Sequence, residues 1–205
     1  MARINRVKKA AKDQGTCGVC RKPIVAGDAY KWVKPRFGYK QVRCTSCPDW
    51  RRSELTTSKL ADAYAAQEQF EDICDFTEYE TVEAWESLAE ALGDQIEECA
   101  ELYEESASNI EDGFGHEVPM SEELREKADM VREWADEVRQ AVSNVDPYDE
   151  ADAIAEVKEE LADELEGLDE EEAEEMIGEA VAEKYTTWLD EMAEAISEAL
   201  CNEPF

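Results

Sequence analysis

The sequence predicts a mainly α-helical protein. A small amino-terminal module of knuckle, β-hairpin and helix, held by a bound metal, precedes an acidic antiparallel helical bundle. Three observations predict it. Four cysteines stand as Cys17-Gly18-Val19-Cys20 and Cys44-Thr45-Ser46-Cys47, two C-x2-C pairs with 23 residues between them. Two short stretches between the pairs, Tyr30-Lys31-Trp32-Val33 and Tyr39-Lys40-Gln41-Val42-Arg43, alternate at strand period. From about Ser53 onward, apolar residues recur at spacings of three and four, the period of a helix with one buried face.

Length and charge bound the reading. A chain of 205 residues suits one domain plus a small module. Asp+Glu number 53 against 21 Lys+Arg, for a net charge of −32. Residues 1–59 hold 15 Lys/Arg and four Asp/Glu, a net of +11, whereas residues 60–205 hold six and 49, a net of −43. Adaptation to a high-salt cytoplasm ranks second as an explanation, because it would have coated the amino-terminal module as well. No apolar stretch follows the basic opening Met1-Ala2-Arg3-Ile4-Asn5-Arg6, so no signal peptide is expected. No apolar run of about 18 residues is present either, which argues against a membrane span. Seven cysteines without an export signal point to metal binding in a reducing cytoplasm rather than to disulfides.

Residues 1–14 carry Arg3, Arg6, Lys8, Lys9 and Lys12 and read as a basic arm, either a frayed solubilising terminus or a phosphate-contacting tail. Residues 15–52 form the cysteine module. Gly15 to Cys20 makes a tight turn whose N–H groups point at sulfur. Lys22 to Asp28 makes a short strand ending in a Gly-Asp turn, and the two alternating stretches pair across Lys34-Pro35-Arg36-Phe37-Gly38. Pro48 suits the first turn of a helix. Four thiolates at this spacing supply a closed tetrahedral site, with Cys17, Cys20, Cys44 and Cys47 as ligands. Zinc is the expected ion, one per chain and structural, with iron the alternative. So few residues bury little core, and the metal must supply the folding energy.

The order of knuckle, hairpin and helix, with C-x2-C-x3-Ile24-x2-Gly27-Asp28-x-Tyr30 at its start, resembles treble-clef zinc fingers, including LIM-like and PARP-like ones. The resemblance covers residues 15–52 and extends to small bacteriophage-encoded zinc-finger proteins of unknown role. It implies a helix carrying the second ligand pair and, for a phage protein, the host cytoplasm as its location. These families often place a His among the ligands, where this sequence has Cys44.

The remaining chain reads as five helices. A connecting helix spans 53–77, with Leu60, Ala63, Tyr64, Phe70, Ile73 and Cys74 on one face. The bundle occupies 78–205. Thr77-Glu78-Tyr79-Glu80 is a capping box for a second helix, running through Val82, Trp85, Leu92 and Ile110 and ending before Gly113, with residues 113–120 as a loop closed by Pro119. Ser121 caps a third, where Leu124, Ala128, Val131, Ala135, Val138, Val142 and Val145 step 4, 3, 4, 3, 4, 3 as a coiled-coil seam. A fourth carries Ile154, Val157, Leu161 and Leu165 and stops at Gly167. Asp169 and Glu172 cap the fifth, whose apolar face runs from Met176 to Leu200. A bundle in one monomer and long hairpins that dimerise both satisfy this pattern.

No Ser/His/Asp set, phosphate loop or HExxH motif is present, and the lone His116 sits in a loop, so an enzyme is the least expected class. Cys74, Cys99 and Cys201 have no partner spacing and read as small hydrophobes. Basic and aromatic residues interleave on the hairpin. Lys31, Lys34, Arg36, Lys40 and Arg43 match phosphates, and Trp32, with Tyr30, Phe37 and Tyr39, offers stacking faces. The plain alternative is that the aromatics pack on the metal site and the cations solvate it. The expected function is therefore a non-enzymatic accessory protein, its finger touching nucleic acid or a nucleic-acid machine and its acidic helices touching a basic protein. Two rivals stand beside it: an inhibitor whose acidic body mimics nucleic acid, and an assembly protein that associates through its heptad faces.

Overall fold

The computed structural model describes residues 3–35, 38–73, 79–166 and 168–205. Among the described residues, five short strands come first: β1 (Asn5–Val7), β2 (Gly15–Thr16), β3 (Pro23–Ile24), β4 (Tyr30–Val33) and β5 (Gln41–Cys44). β2 and β3 pair as a two-stranded ribbon, and β1, β4 and β5 form an antiparallel sheet with β4 in the centre. The hairpin of β4 and β5 is the one the alternation predicts. β1 is a finding: Asn5 to Val7, within the predicted arm, pairs in register with Trp32 to Tyr30, and Ala10 beyond it is buried.

Strand alternation gives this sheet two different faces. Val7, Tyr30, Trp32, Val42 and Cys44 pack with Ala10, Cys17, Ile24 and Cys47 on one face. Ile4, Val33, Trp50 and Leu55 cluster together, using the positions of opposite parity. Arg6, Lys31 and Arg43 lie in one cross-strand row of that parity, since Arg6 pairs with Lys31 and Lys31 with Arg43.

Among the described residues, seven α-helices follow: α1 (Arg52–Leu55), α2 (Ala61–Glu71), α3 (Val82–Phe114), α4 (Pro119–Gln140), α5 (Glu150–Glu160), α6 (Ala162–Leu165) and α7 (Glu170–Cys201). The connecting helix predicted over 53–77 is broken into α1 and α2. Thr56 is extended, its hydroxyl accepts the Ser58 N–H and the Ser58 hydroxyl accepts the Leu60 N–H. Such local side-chain bonds compete with helix hydrogen bonding. The Thr77 capping box lies outside the described residues, as do Cys74 and the Gly167 stop. Thr81 caps α3 instead, through its hydroxyl and carbonyl to Ala84 N–H. α3 runs past the expected stop before Gly113 to Phe114, because the left-handed C-cap that glycine adopts most readily is taken by Gly115 at φ +75°.

Ser121 is not the N-cap of α4. The helix starts two residues earlier with Pro119 in its first turn, where a missing N–H costs nothing. Ser121 is fully buried, and its hydroxyl reaches back to both the N–H and the carbonyl of Val118. Asp149 caps α5 and Asp169 caps α7, the latter by accepting the Glu172 N–H as predicted. Among the seam residues, Ala128, Val131, Ala135, Val138 and Val142 are buried within the chain itself. No helix among the described residues is long and apolar enough to cross a membrane.

The chain divides into two units, Met1–Asp72 with Gln95–Asp129, and Ile73–Asp94 with Met130–Phe205. Helices α3 and α4 thus each contribute to both. In the first unit, Lys59 donates to the Leu102 carbonyl and lies over the Tyr103 ring. Arg125 forks onto Glu111 and Glu117. In the second unit, Trp85, Leu92, Trp134, Val138, Val157 and Ile196 are fully buried or nearly so. There Arg139 pairs with Asp94 and Asp136, and Lys184 with Glu156 and Glu160. Arg125, Arg139 and Lys184, cations of a strongly acidic region, thus each bridge more than one carboxylate. Gly93 lies inside α3. A Cβ there would fall 3.0 Å from the Ala135 carbonyl oxygen and 2.5 Å from Cγ of Arg139, so only a bare backbone lets α3 and α4 approach this closely.

Candidate metal centre

Two turns build the site. The first joins β2 to β3. Cys17 N–H donates to the Lys22 carbonyl at 2.8 Å, and Arg21 N–H donates to the Cys17 carbonyl at 3.1 Å. Gly18 N–H reaches the Val42 carbonyl on β5 at 2.9 Å and ties the turn to the sheet. The second turn follows β5, whose last residue is Cys44, and closes with Cys47 N–H donating to the Cys44 carbonyl. Cys44 N–H then points at the Cys17 sulfur, 3.4 Å away.

All four Sγ atoms lie within 4.8 Å of one another. Cys17 and Cys47 are 3.7 Å apart, Cys20 and Cys44 3.6 Å, and Cys44 and Cys47 3.4 Å. An ion bound by four tetrahedral sulfurs at about 2.3 Å spaces them by roughly 3.8 Å, so the cluster is already at ligand geometry. Cys17 is fully buried, Cys44 and Cys47 are half-buried and Cys20 is exposed. Four donors close the coordination sphere and leave no position for a reacting water.

The electrostatics also ask for a cation. Burial pushes the Cys17 thiol up, but the backbone N–H groups of Cys44, Cys20 and Val19 outweigh it and bring it down to about 6. Cys44 is lowered chiefly by the Ser46 hydroxyl, 3.1 Å from its sulfur. Cys47 moves the other way, to about 12, because Cys44 beside it, burial and the other two sulfurs all disfavour a further negative charge. The first thiolates form easily and the last does not. Crowded sulfurs lose their remaining protons only when a positive ion replaces them.

The second ligand pair departs from the treble-clef expectation. Cys44 and Cys47 sit on a strand end and a turn, and the nearest helix, α1, starts at Arg52. Residues 48–50 are not helical, so Pro48 opens no helix. Arg21 is a residue that spacing alone does not single out. It stands at φ +61°, left-handed backbone that costs a side-chain-bearing residue about 1–2 kcal/mol. Arg21→Gly is expected to stabilise the metal-loaded module by about 1 kcal/mol, read as a higher urea midpoint for loss of cobalt–thiolate absorption in cobalt-substituted protein.

The structure sorts the hairpin residues proposed to touch nucleic acid. Lys31 is buried, bonded to the Cys47 carbonyl and 2.8 Å from Asp49, which also pairs with Arg6. Lys31 and then Arg6 hold the Asp49 carboxyl below its usual range. Arg43 pairs with Glu54, donates to the Asp49 carbonyl and lies over the Trp50 ring at 4.6 Å. These two cations are therefore internal counter-charges, each paired with one of the few acids in this region. Trp32 is half-buried in the cysteine-side cluster. Lys40 is exposed and lies over the Tyr30 and Trp32 rings at 5.0 and 5.1 Å. Lys34 is exposed, and Arg36 lies outside the described residues. Tyr39 is 95% exposed beside Lys40. His116 is an exposed loop residue whose Nδ1 lies 3.0 Å from the Phe114 carbonyl oxygen. Cys99 is buried, as its helical face predicts, whereas Cys201 is exposed.

The fold and site define a mainly helical protein with small antiparallel sheets near its amino terminus and four cysteines positioned to hold a metal ion. Comparison with protein-family models, curated proteins and solved structures found no match.

Proposed function

We propose that the cysteine cluster holds one structural zinc ion, and that the module around it binds nucleic acid or a nucleic-acid machine while the acidic helices engage a basic protein. Zinc suits four sulfurs at tetrahedral spacing and needs no further ligand. The observation that carries the nucleic-acid reading is the set of cations left over after internal pairing. Lys8, Lys9, Lys12, Lys22 and Lys34 are all exposed, Lys40 stands over two rings, and Tyr39 offers an open stacking face. Phosphate contacts with a stacked base are the means by which single-stranded nucleic acid is held without sequence readout. The −43 of residues 60–205 supports a basic protein partner and equally a body that mimics nucleic acid.

Fluorescence anisotropy of a labelled single-stranded RNA with the zinc-loaded full chain tests this reading. Lys34→Gln with Lys40→Gln is expected to weaken binding on every sequence and to reduce the salt slope by roughly 0.7 for each phosphate no longer neutralised. Tyr39→Ala is expected to weaken binding about tenfold, within the range measured for one stacked base. Absence of binding at about 20 mM salt, where counterion release favours it most, sinks the nucleic-acid reading. Recovery of a basic DNA- or RNA-binding protein from nuclease-treated lysate would then favour mimicry.

A further inference from the structure

The apolar stripe of α7 is covered along only part of its length. Met192, Ile196 and Leu200 are buried, whereas Ile177, Val181 and Tyr185, at steps of four on the same helix, are half-buried. Those three line a groove of about 790 Å3 whose other wall includes Tyr148 and, on α5, Ile154. Volumes of about 300–1,000 Å3 are typical of binding clefts. The Tyr148 and Tyr185 rings of the lining meet edge-on at 5.1 Å, and Trp188 lies tilted beside them at 5.4 and 5.5 Å, so the aromatic wall is pre-formed. Gly178 also lines the groove. It sits in the interior of a helix, where only proline is a poorer choice, and a Cβ there would meet nothing within 4 Å. Among the described residues, no packing neighbour accounts for a bare backbone at this place.

We propose that this groove receives an amphipathic, basic α-helix of a partner protein, an assignment that rests on the reading of the acidic helices as a protein-binding body. An apolar stripe laid between two helices is the usual seat of such a helix. Gly178 lets the incoming backbone approach closely, as small residues do at helix crossings. Charge selects the partner. Glu150 and Glu174 line the groove against a single cation, Lys158, and they lie in a region carrying −43. A second copy of this chain would bring a like-charged face, whereas Lys and Arg flanking an apolar stripe would meet opposite charge. The lining holds no convergent set of donors that would fix a small polar ligand.

The test uses the zinc-loaded full chain and two synthetic peptides of equal length and equal Lys content. One has Leu at every third and fourth position and the other has Gln in those places. Calorimetry at physiological salt is expected to show the Leu/Lys peptide binding at least tenfold more tightly than the Gln/Lys peptide. Gly178→Leu fills the groove, has room for its side chain and improves helix propensity. It is expected to remove that tenfold preference while leaving the melting temperature equal or higher. Ile177→Gln, which changes the lining without filling it, is expected to reduce the preference as well. If both peptides bind alike, or if Gly178→Leu leaves the Leu/Lys affinity unchanged, the groove assignment is overturned and the basic-partner reading stands. If neither peptide binds, both are overturned. A dimer in sedimentation that Gly178→Leu dissolves would give the groove to a second copy and overturn the assignment.

Discussion

One zinc per chain is the expected elemental content of the purified protein, and its removal is expected to have the largest effect of any single change. The buried side chains of the cysteine-side cluster are Ala10, Cys17, Ile24 and Tyr30, too small a core to hold two ribbons of strand together unaided. Structural zinc contributes about 10–16 kcal/mol of apparent binding free energy at neutral pH, as much as the total stability of a whole domain. Chelation or Cys44→Ser should therefore unfold the sheet as well as both cysteine turns, since Cys44 is also the last residue of β5 and β5 pairs with β4. β1 should be lost with them, because it pairs with β4. Amide exchange over residues 5–44 should become fast. Ellipticity at 222 nm should fall only slightly, because α3, α4 and α7 bury apolar residues of their own. A protein that contains no metal and keeps slow exchange in this stretch would refute the assignment.

Trp134→Ala is expected to be the most damaging substitution in the second unit. The indole is 2% exposed and its N–H donates to the Ala199 carbonyl at 2.8 Å. Deleting a buried tryptophan costs about 3–5 kcal/mol in lost burial and residual cavity. The Ala199 carbonyl keeps one partner, the Asn202 N–H at 3.2 Å, so the hydrogen-bond loss adds little. At a urea dependence of about 2 kcal/mol/M, the midpoint should drop by roughly 2 M. Trp134→Phe keeps most of the ring volume, leaves a much smaller cavity and should cost nearer about 1 kcal/mol. Cobalt–thiolate absorption should be unchanged in both variants under native conditions, because Cys17, Cys20, Cys44 and Cys47 all belong to the first unit. Equal midpoints for wild type and Trp134→Ala would mean that this indole is not packed as described.

The cysteine site was legible because ligand chemistry is written as spacing. Two C-x2-C pairs can hardly serve anything else in a stretch this short, and the sulfurs do converge. The β4–β5 hairpin was legible because alternation has a period of two whatever surrounds it. The third strand was not. Asn5-Arg6-Val7 is too short and too basic to announce itself, and it becomes a strand only because β4 has an unpaired edge to accept it. For the same reason Lys31 and Arg43 looked like phosphate contacts. Register alone puts Arg6, Lys31 and Arg43 in one row, and only the folded sheet shows Asp49 and Glu54 arriving to pair with it.

Composition and spacing by themselves determined the four-cysteine cluster, the predominance of helix, the long apolar stripes and the steep division of charge along the chain. Each of these is local, set by residue type or by spacings of a few positions. Tertiary structure decided the rest. It broke the connecting helix at Thr56, drew α3 and α4 each into two units, and made Gly93 a point of close approach. It also covered one part of the α7 stripe and left Ile177, Val181 and Tyr185 lining a groove. Those outcomes depend on which surfaces meet across tens of residues. A helical period states that a face is apolar, and it does not state what covers it.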